Sequence, residues 1–143
     1  TKVSVVELPS MADVPLPLGK LLYEAEHETL EGIVAFLHEQ GWAADYELIF
    51  SGRTLLEMTA KGANKGGMVR RLAARLGISP DHVYCAGDEA NDISMLTAAA
   101  EGFAPENCVP AVRACGATIV RHAKDGAIGD VIERLDRKYG NGI

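Results

Sequence analysis

The chain has 143 residues, 48% of them apolar and 24% charged. That suits one packed domain, is short for two, and argues against disorder. Its net charge is −6, and the acids are concentrated early: the first fifty residues hold two lysines against nine acids, which opposes a nucleic-acid footprint there. No apolar run approaches the roughly 18 residues that span a bilayer, and the start Thr-Lys-Val-Ser is no signal peptide. The three cysteines, Cys85, Cys108 and Cys115, are odd in number and form no CxxC pair. This excludes the usual disulfide scaffold or zinc knuckle and points to a reducing cytoplasm.

Taken in chain order, Val3 to Leu8 is short and β-branched and predicts a strand. Pro9, Pro15, Pro17 and Gly19 punctuate a loop, and Leu21 to Tyr23 begins a second strand. From His27 the spacing changes: Leu30, Ile33, Val34 and Leu37 follow a helical rule, with Gly41 predicted as a left-handed cap. Tyr46 to Phe50 and Thr54 to Thr59 flank Ser51-Gly52-Arg53 as a hairpin. The first sixty residues therefore predict an α+β layer, antiparallel in part.

The second half alternates differently. Met68, Val69, Leu72 and Leu76 form a helical stripe ended by Gly77. Val83 to Ala86 is a short apolar run, expected for a strand buried on both faces of a parallel sheet. A helix follows near Asn91, another after Pro110, a strand at Thr118 to Val120, and a last helix striped by Ile128, Val131, Ile132 and Leu135. This is half of a doubly wound α/β sheet.

Two stretches carry chemistry. Gly87-Asp88-Glu89-Ala90-Asn91-Asp92 follows the apolar strand directly and opens a helix, where open α/β sheets bind ligands. Carboxylates about 4 Å apart repel by about 4 kcal/mol at an effective dielectric near 20, so a convergent cluster calls for a cation. Oxygen-only ligands favour Mg²⁺ over zinc. The plainer alternative is that these acids only complement a helix N-terminus.

The other stretch is Gly62-Ala63-Asn64-Lys65-Gly66-Gly67. Asn64 is a plausible N-cap, which puts Lys65 in the first helical turn. A cation there opposes the helix dipole by roughly 0.3–1 kcal/mol, which suggests an ammonium aimed at phosphate. The neighbouring glycines are read as letting a ligand approach the backbone. A solvated loop lysine is the alternative.

Asn64-Lys65-Gly66, Leu76-Gly77-Ile78 and Gly87-Asp88-x-x-Asn91-Asp92-x-x-Met95-Leu96 together resemble the second half of a Cof-type phosphatase of the haloacid dehalogenase-like superfamily. The resemblance continues through Gly102-Phe103-Ala104, Asn107 and Asp125-Gly126-Ala127. It implies residues 1–60 as the later part of an α+β cap and 61–143 as the C-terminal half of a Rossmann-like core. By resemblance, Lys65 is the catalytic lysine that also touches the substrate phosphate. Asn91 is the amide on that phosphate, and Asp88 is a Mg²⁺ ligand. Asp92 supports or shares the metal site.

The implied activity is hydrolysis of small phosphate esters, sugar phosphates among them, through an aspartyl-phosphate. The implied partners are a small phosphorylated metabolite, with no nucleic acid and no membrane. The Asp-x-Asp that supplies the family's nucleophile does not occur in this sequence. The expectation is therefore a fragment of a longer enzyme, inactive alone, that associates with its own N-terminal piece or with a second copy. A non-catalytic metal- or phosphate-binding module and a structural or interaction domain remain the alternatives.

Overall fold

Two three-stranded sheets organise residues 4–140, the part of the chain that the computed structural model describes. The first is antiparallel, in the order β1-β3-β2, from β1 (Leu21–Glu24), β2 (Tyr46–Gly52) and β3 (Leu55–Ala60). The expected hairpin is β2–β3, with the register shifting at Ser51, between the Phe50↔Leu56 and Gly52↔Leu55 pairs. Side chains alternate across strands, so Leu48, Met58, Leu21 and Tyr23 face α1 (His27–His38) and pack with its Ile33 and Leu37. The opposite face carries Leu22, Glu47, Ile49, Glu57 and Thr59, by the pairings Leu22↔Glu57, Glu47↔Thr59 and Ile49↔Glu57.

The second sheet is parallel, in the order β4-β5-β6, from β4 (Tyr84–Ala86), β5 (Glu101–Pro105) and β6 (Thr118–Val120). On one face α5 (Ala127–Tyr139) packs Ala127 and Val131 against Phe103 and Val120. On the other, α3 (Ile93–Leu96) and α4 (Pro110–Ala114) bring Leu96 and Val112 to Ala104. Parallel strands covered on both faces are the doubly wound pattern. In the chain, α2 (Lys65–Leu76) connects the two sheets and packs against α3, capped as expected by Gly77 in the left-handed region at φ 67°.

Several expectations need correction. From Ser4 to Leu8 the chain is not a strand, and Val3 lies outside the described residues. Val5 and Val6 are 85% and 75% exposed, and β-branched propensity is expressed only against a neighbouring strand. Gly41 is no left-handed cap: α1 ends at Glu39 in ordinary helical geometry, and Gly41 starts a short 3-10 turn. β4 is one of the sheet's two edge strands and only half-buried. The buried centre is instead β5, a strand the hydrophobic pattern did not predict. Finally, α2 turns Met68, Leu72 and Leu76 outward and buries Gly66, Gly67 and Ala73.

Candidate functional site

The site forms where the loop after β4 meets the N-terminus of α2. Asn64 caps α2 by accepting the Gly67 amide at 2.8 Å, which fixes Lys65 in the first turn. Its ammonium reaches across 27 residues to the Asp92 carboxylate and lies 3.4 Å from the Asn91 side-chain oxygen. The other Asp92 oxygen accepts the amides of Asp88 at 3.0 Å and Glu89 at 3.1 Å. Lys65 and the Asp88 backbone thus meet through Asp92. The dipole conflict read at Lys65 is offset by this ion pair.

Asp92 is 4% exposed. Burial alone would push its carboxyl up, but the Lys65 ammonium and the two amides outweigh that and hold it below its ordinary range. Asp88, four residues earlier, is exposed. Its carboxylate makes no hydrogen bond or ion pair among the described residues and stands at the mouth of an apolar groove of about 260 Å³ against α5. The two acids of one loop therefore have different chemistry available: Asp92 is saturated by internal partners and Asp88 is open.

The glycines have another role than the one read from the sequence. A Cβ on Gly66 would lie 2.0 Å from the Ser94 carbonyl oxygen, and one on Gly67 would lie 1.9 Å from that of Gly62. The space beside Lys65 is thus filled by protein backbone, not held open for a ligand. At Gly87 a Cβ would meet Asp92 side-chain atoms at 2.5–2.8 Å, so that glycine lets the loop fold over Asp92. Ser94, which the sequence reading passed over, completes the joint by accepting the Gly66 amide at 3.0 Å.

As a holder of Mg²⁺, the donor set is correct in kind and incomplete in number. All donors are oxygens, which fits a hard cation. Among the described residues, however, no three acids, histidines or cysteines gather around one point. Asp88 has a free carboxylate to offer, and the rest of a coordination shell would be water or groups from elsewhere.

Opposite this loop lies the open face of the antiparallel sheet. Glu47, Ile49, Asn64, Asn91 and Ser94 line a cleft of about 260 Å³ between β2 and the site. Asn64, Asn91 and Ser94 of one half thus face Glu47 and Ile49 of the other across this cleft.

Residues 6–132 match the family model of haloacid dehalogenase-like hydrolases. The chain belongs to that family. An HMP-PP phosphatase of Escherichia coli O157:H7 is 33% identical over 102 residues, covering 69% of this chain and 37% of that protein. The chloroplastic endoribonuclease YBEY of Arabidopsis thaliana is 29% identical over 132 residues, covering 92% of this chain but 22% of that one. Among solved structures, a haloacid dehalogenase-like hydrolase of Bacillus subtilis superposes with a TM-score of 0.74 at 26% identity. It covers 87% of this chain and 43% of that one. The chain thus spans less than half the length of these relatives. The α/β fold and the hydrolase family expected from the sequence both stand.

Proposed function

We propose that this chain is the C-terminal part of a Cof-type, Mg²⁺-dependent phosphatase of small phosphorylated metabolites. Residues 1–60 would form the later part of its cap and 61–143 the second half of its core. The observation that carries this is the Lys65–Asp92 pair, closed at the carboxyl end of β4 beside an open Asp88. The name of the E. coli relative supports phosphatase chemistry.

In this reading Lys65 holds the transferring phosphoryl oxygens, with Asp92 fixing its ammonium so that no reorganisation is needed during reaction. Asn91 turns its oxygen to Lys65, which leaves its amide N–H groups free to donate to the phosphate. Asp88 holds Mg²⁺ directly; Asp92 supports that site by orienting the Asp88 backbone. The bound ion would neutralise charge developing on the phosphoryl oxygens. The attacking carboxylate comes from outside this chain, which has no Asp-x-Asp.

Association with an N-terminal piece, or with a second copy, is supported by β4 being an edge strand. The apolar residues left exposed on α2 and α5 (Met68, Leu72, Leu76, Ile128 and Ile132) support it too. Three free cysteines suit the cytoplasm.

The test is hydrolysis of an aryl phosphate with Mg²⁺, using the 143-residue chain beside the complete enzyme. The chain alone should be inactive, since metal and lysine stabilise charge but cannot replace a nucleophile. Turnover within tenfold of the complete enzyme would overturn the reading. Mg²⁺ binding without turnover in the complete enzyme would favour a binding module.

A further inference from the structure

Residues 61–64 join the antiparallel sheet to the N-terminus of α2, and this connection is tied back towards β2 at several points. The Lys61 amide donates to the Asp45 carbonyl at 3.0 Å, and its ammonium donates to the Ala44 carbonyl at 3.0 Å. Both are accepted by backbone. Two further bonds are made by side chains of the sheet, from Glu47 and Thr59, which pair across the β2–β3 register. A Glu47 carboxylate oxygen accepts the Gly62 amide at 2.9 Å. The Thr59 hydroxyl donates to the Ala63 carbonyl at 3.1 Å. Gly62 and Ala63 are thus gripped from one sheet face.

What is gripped stands directly against the helix turn that carries Lys65. Gly62 has a φ of 76°, a left-handed conformation that glycine adopts without strain. Its carbonyl oxygen lies on the first turn of α2, where a Cβ on Gly67 would be 1.9 Å away. Asn64 caps the same turn through the Gly67 amide, and Lys65 is the first residue of α2. A displacement of Gly62 is therefore passed on to that turn by packed backbone, which has no room to absorb it.

We infer that Glu47 is a positioning residue for Lys65. With Thr59 beside it, Glu47 holds Gly62 and Ala63, and through them the first turn of α2, so that the Lys65 ammonium stays where a phosphate is received. This rests on the phosphate-site reading above. The role depends on reach and not on charge. The Gly62 amide needs an oxygen acceptor at the end of a two-methylene side chain, which glutamine also supplies. Aspartate keeps the charge but is one methylene too short to make a bond of 2.9 Å.

The experiment titrates the full 143-residue chain, with Mg²⁺ present, with inorganic phosphate, and follows amide hydrogen exchange at Gly62. Glu47→Ala should weaken phosphate binding about fivefold, the scale of one hydrogen bond. It should also speed exchange at Gly62 about tenfold, because that amide loses its acceptor. Glu47→Asp should do the same, whereas Glu47→Gln should bind phosphate within about twofold of wild type. Thr59→Val, which drops only the hydroxyl's bond to Ala63, should weaken phosphate in the same direction, and it carries the test if Glu47→Ala does not fold. Lys65→Ala should weaken phosphate more than any of these.

If Glu47→Ala speeds exchange at Gly62 but leaves phosphate affinity unchanged, the bond is only structural and the positioning role is wrong, while the Lys65 site stands. If Glu47→Asp binds phosphate like wild type and Glu47→Gln does not, the charge matters and not the grip on Gly62, which also overturns it. If inorganic phosphate fails to bind wild type, or binds equally to Lys65→Ala, the phosphate-site reading falls and takes this one with it.

Discussion

In the antiparallel sheet β1-β3-β2, one strand face packs on α1 and the other looks onto a cleft shared with the loop after β4. In the parallel sheet β4-β5-β6 both faces are packed, and only the loops at the strand ends are open. The first arrangement lets a residue such as Leu22, which is 54% exposed, change without disturbing a core. The second concentrates chemistry and architecture in the same few residues, because the loop that offers Asp88 is held in shape by Asp92 and passes over Gly87. Substitutions in the parallel half should therefore separate into those that remove chemistry and those that remove the fold.

The largest separation is expected at Asp88. In the complete enzyme, Asp88→Asn should lower Mg²⁺-supported turnover by about 10³-fold or more, because a bound metal supplies several kcal/mol of transition-state stabilisation. The same change should leave the melting temperature of the chain nearly unmoved, since this carboxylate has no partner to lose and exposed sites vary by about 0.5 kcal/mol. A large thermal shift with normal rates would show that Asp88 is structural. Lys65→Ala comes next, at about 10²–10³ in rate. Unlike Asp88→Asn it should also destabilise, because it strands the buried Asp92 carboxylate.

Much of this was legible in the sequence wherever the signal is local. The β2–β3 hairpin follows from two β-rich runs around Ser51-Gly52-Arg53. Asn64, Lys65, Asn91 and Asp92 stood out because a cap and an acid cluster are short-range patterns. The central strand β5 was not legible from periodicity: Glu101-Gly-Phe-Ala-Pro contains two residues that punctuate strands, and the strands it pairs with lie 15 or more residues away. The split between Asp88 and Asp92 was hidden as well. Both are acids at a helix start, and only the folded loop decides which one is turned inward.

Architecture in the parallel half should break most sharply at Gly66. A Cβ there would sit 2.0 Å from the backbone oxygen of Ser94, and backbone cannot rotate away as a side chain can. Gly66→Ala should cost about 3 kcal/mol, which lowers the midpoint of thermal unfolding by roughly 10 °C. An unchanged melting curve would mean that α2 and α3 are not in this close contact.

Asp92→Asn should cost about 1–3 kcal/mol at neutral pH, the range for hydrogen bonds to a charged group. Its pH dependence has a definite sign. The folded carboxyl is held below its unfolded value, so its contribution is complete above roughly pH 4, the unfolded value. It is lost as pH falls through the lower, folded value. Denaturant titrations of wild type and Asp92→Asn should therefore differ at pH 7 and converge in acid. A gap that widens in acid would contradict the Lys65–Asp92 pairing.

The smallest effect sharpens the contrast between the two halves because it has the opposite sign. Gly32 lies within α1, the helix that covers the antiparallel sheet, and a Cβ there meets nothing within 4 Å. Its φ is not in the left-handed region, so alanine fits the native backbone without strain. Gly32→Ala should stabilise by about 0.5–1 kcal/mol, since alanine restricts the unfolded chain and favours the helix. The same exchange is thus stabilising in α1 and strongly destabilising at Gly66 in α2, although both glycines lie in helices. The difference is that Gly66 is part of the joint that brings Lys65 to Asp92, whereas Gly32 faces open space. Paired denaturant titrations of the two variants check this, and equal signs would show that the glycines of α2 are not what closes the site.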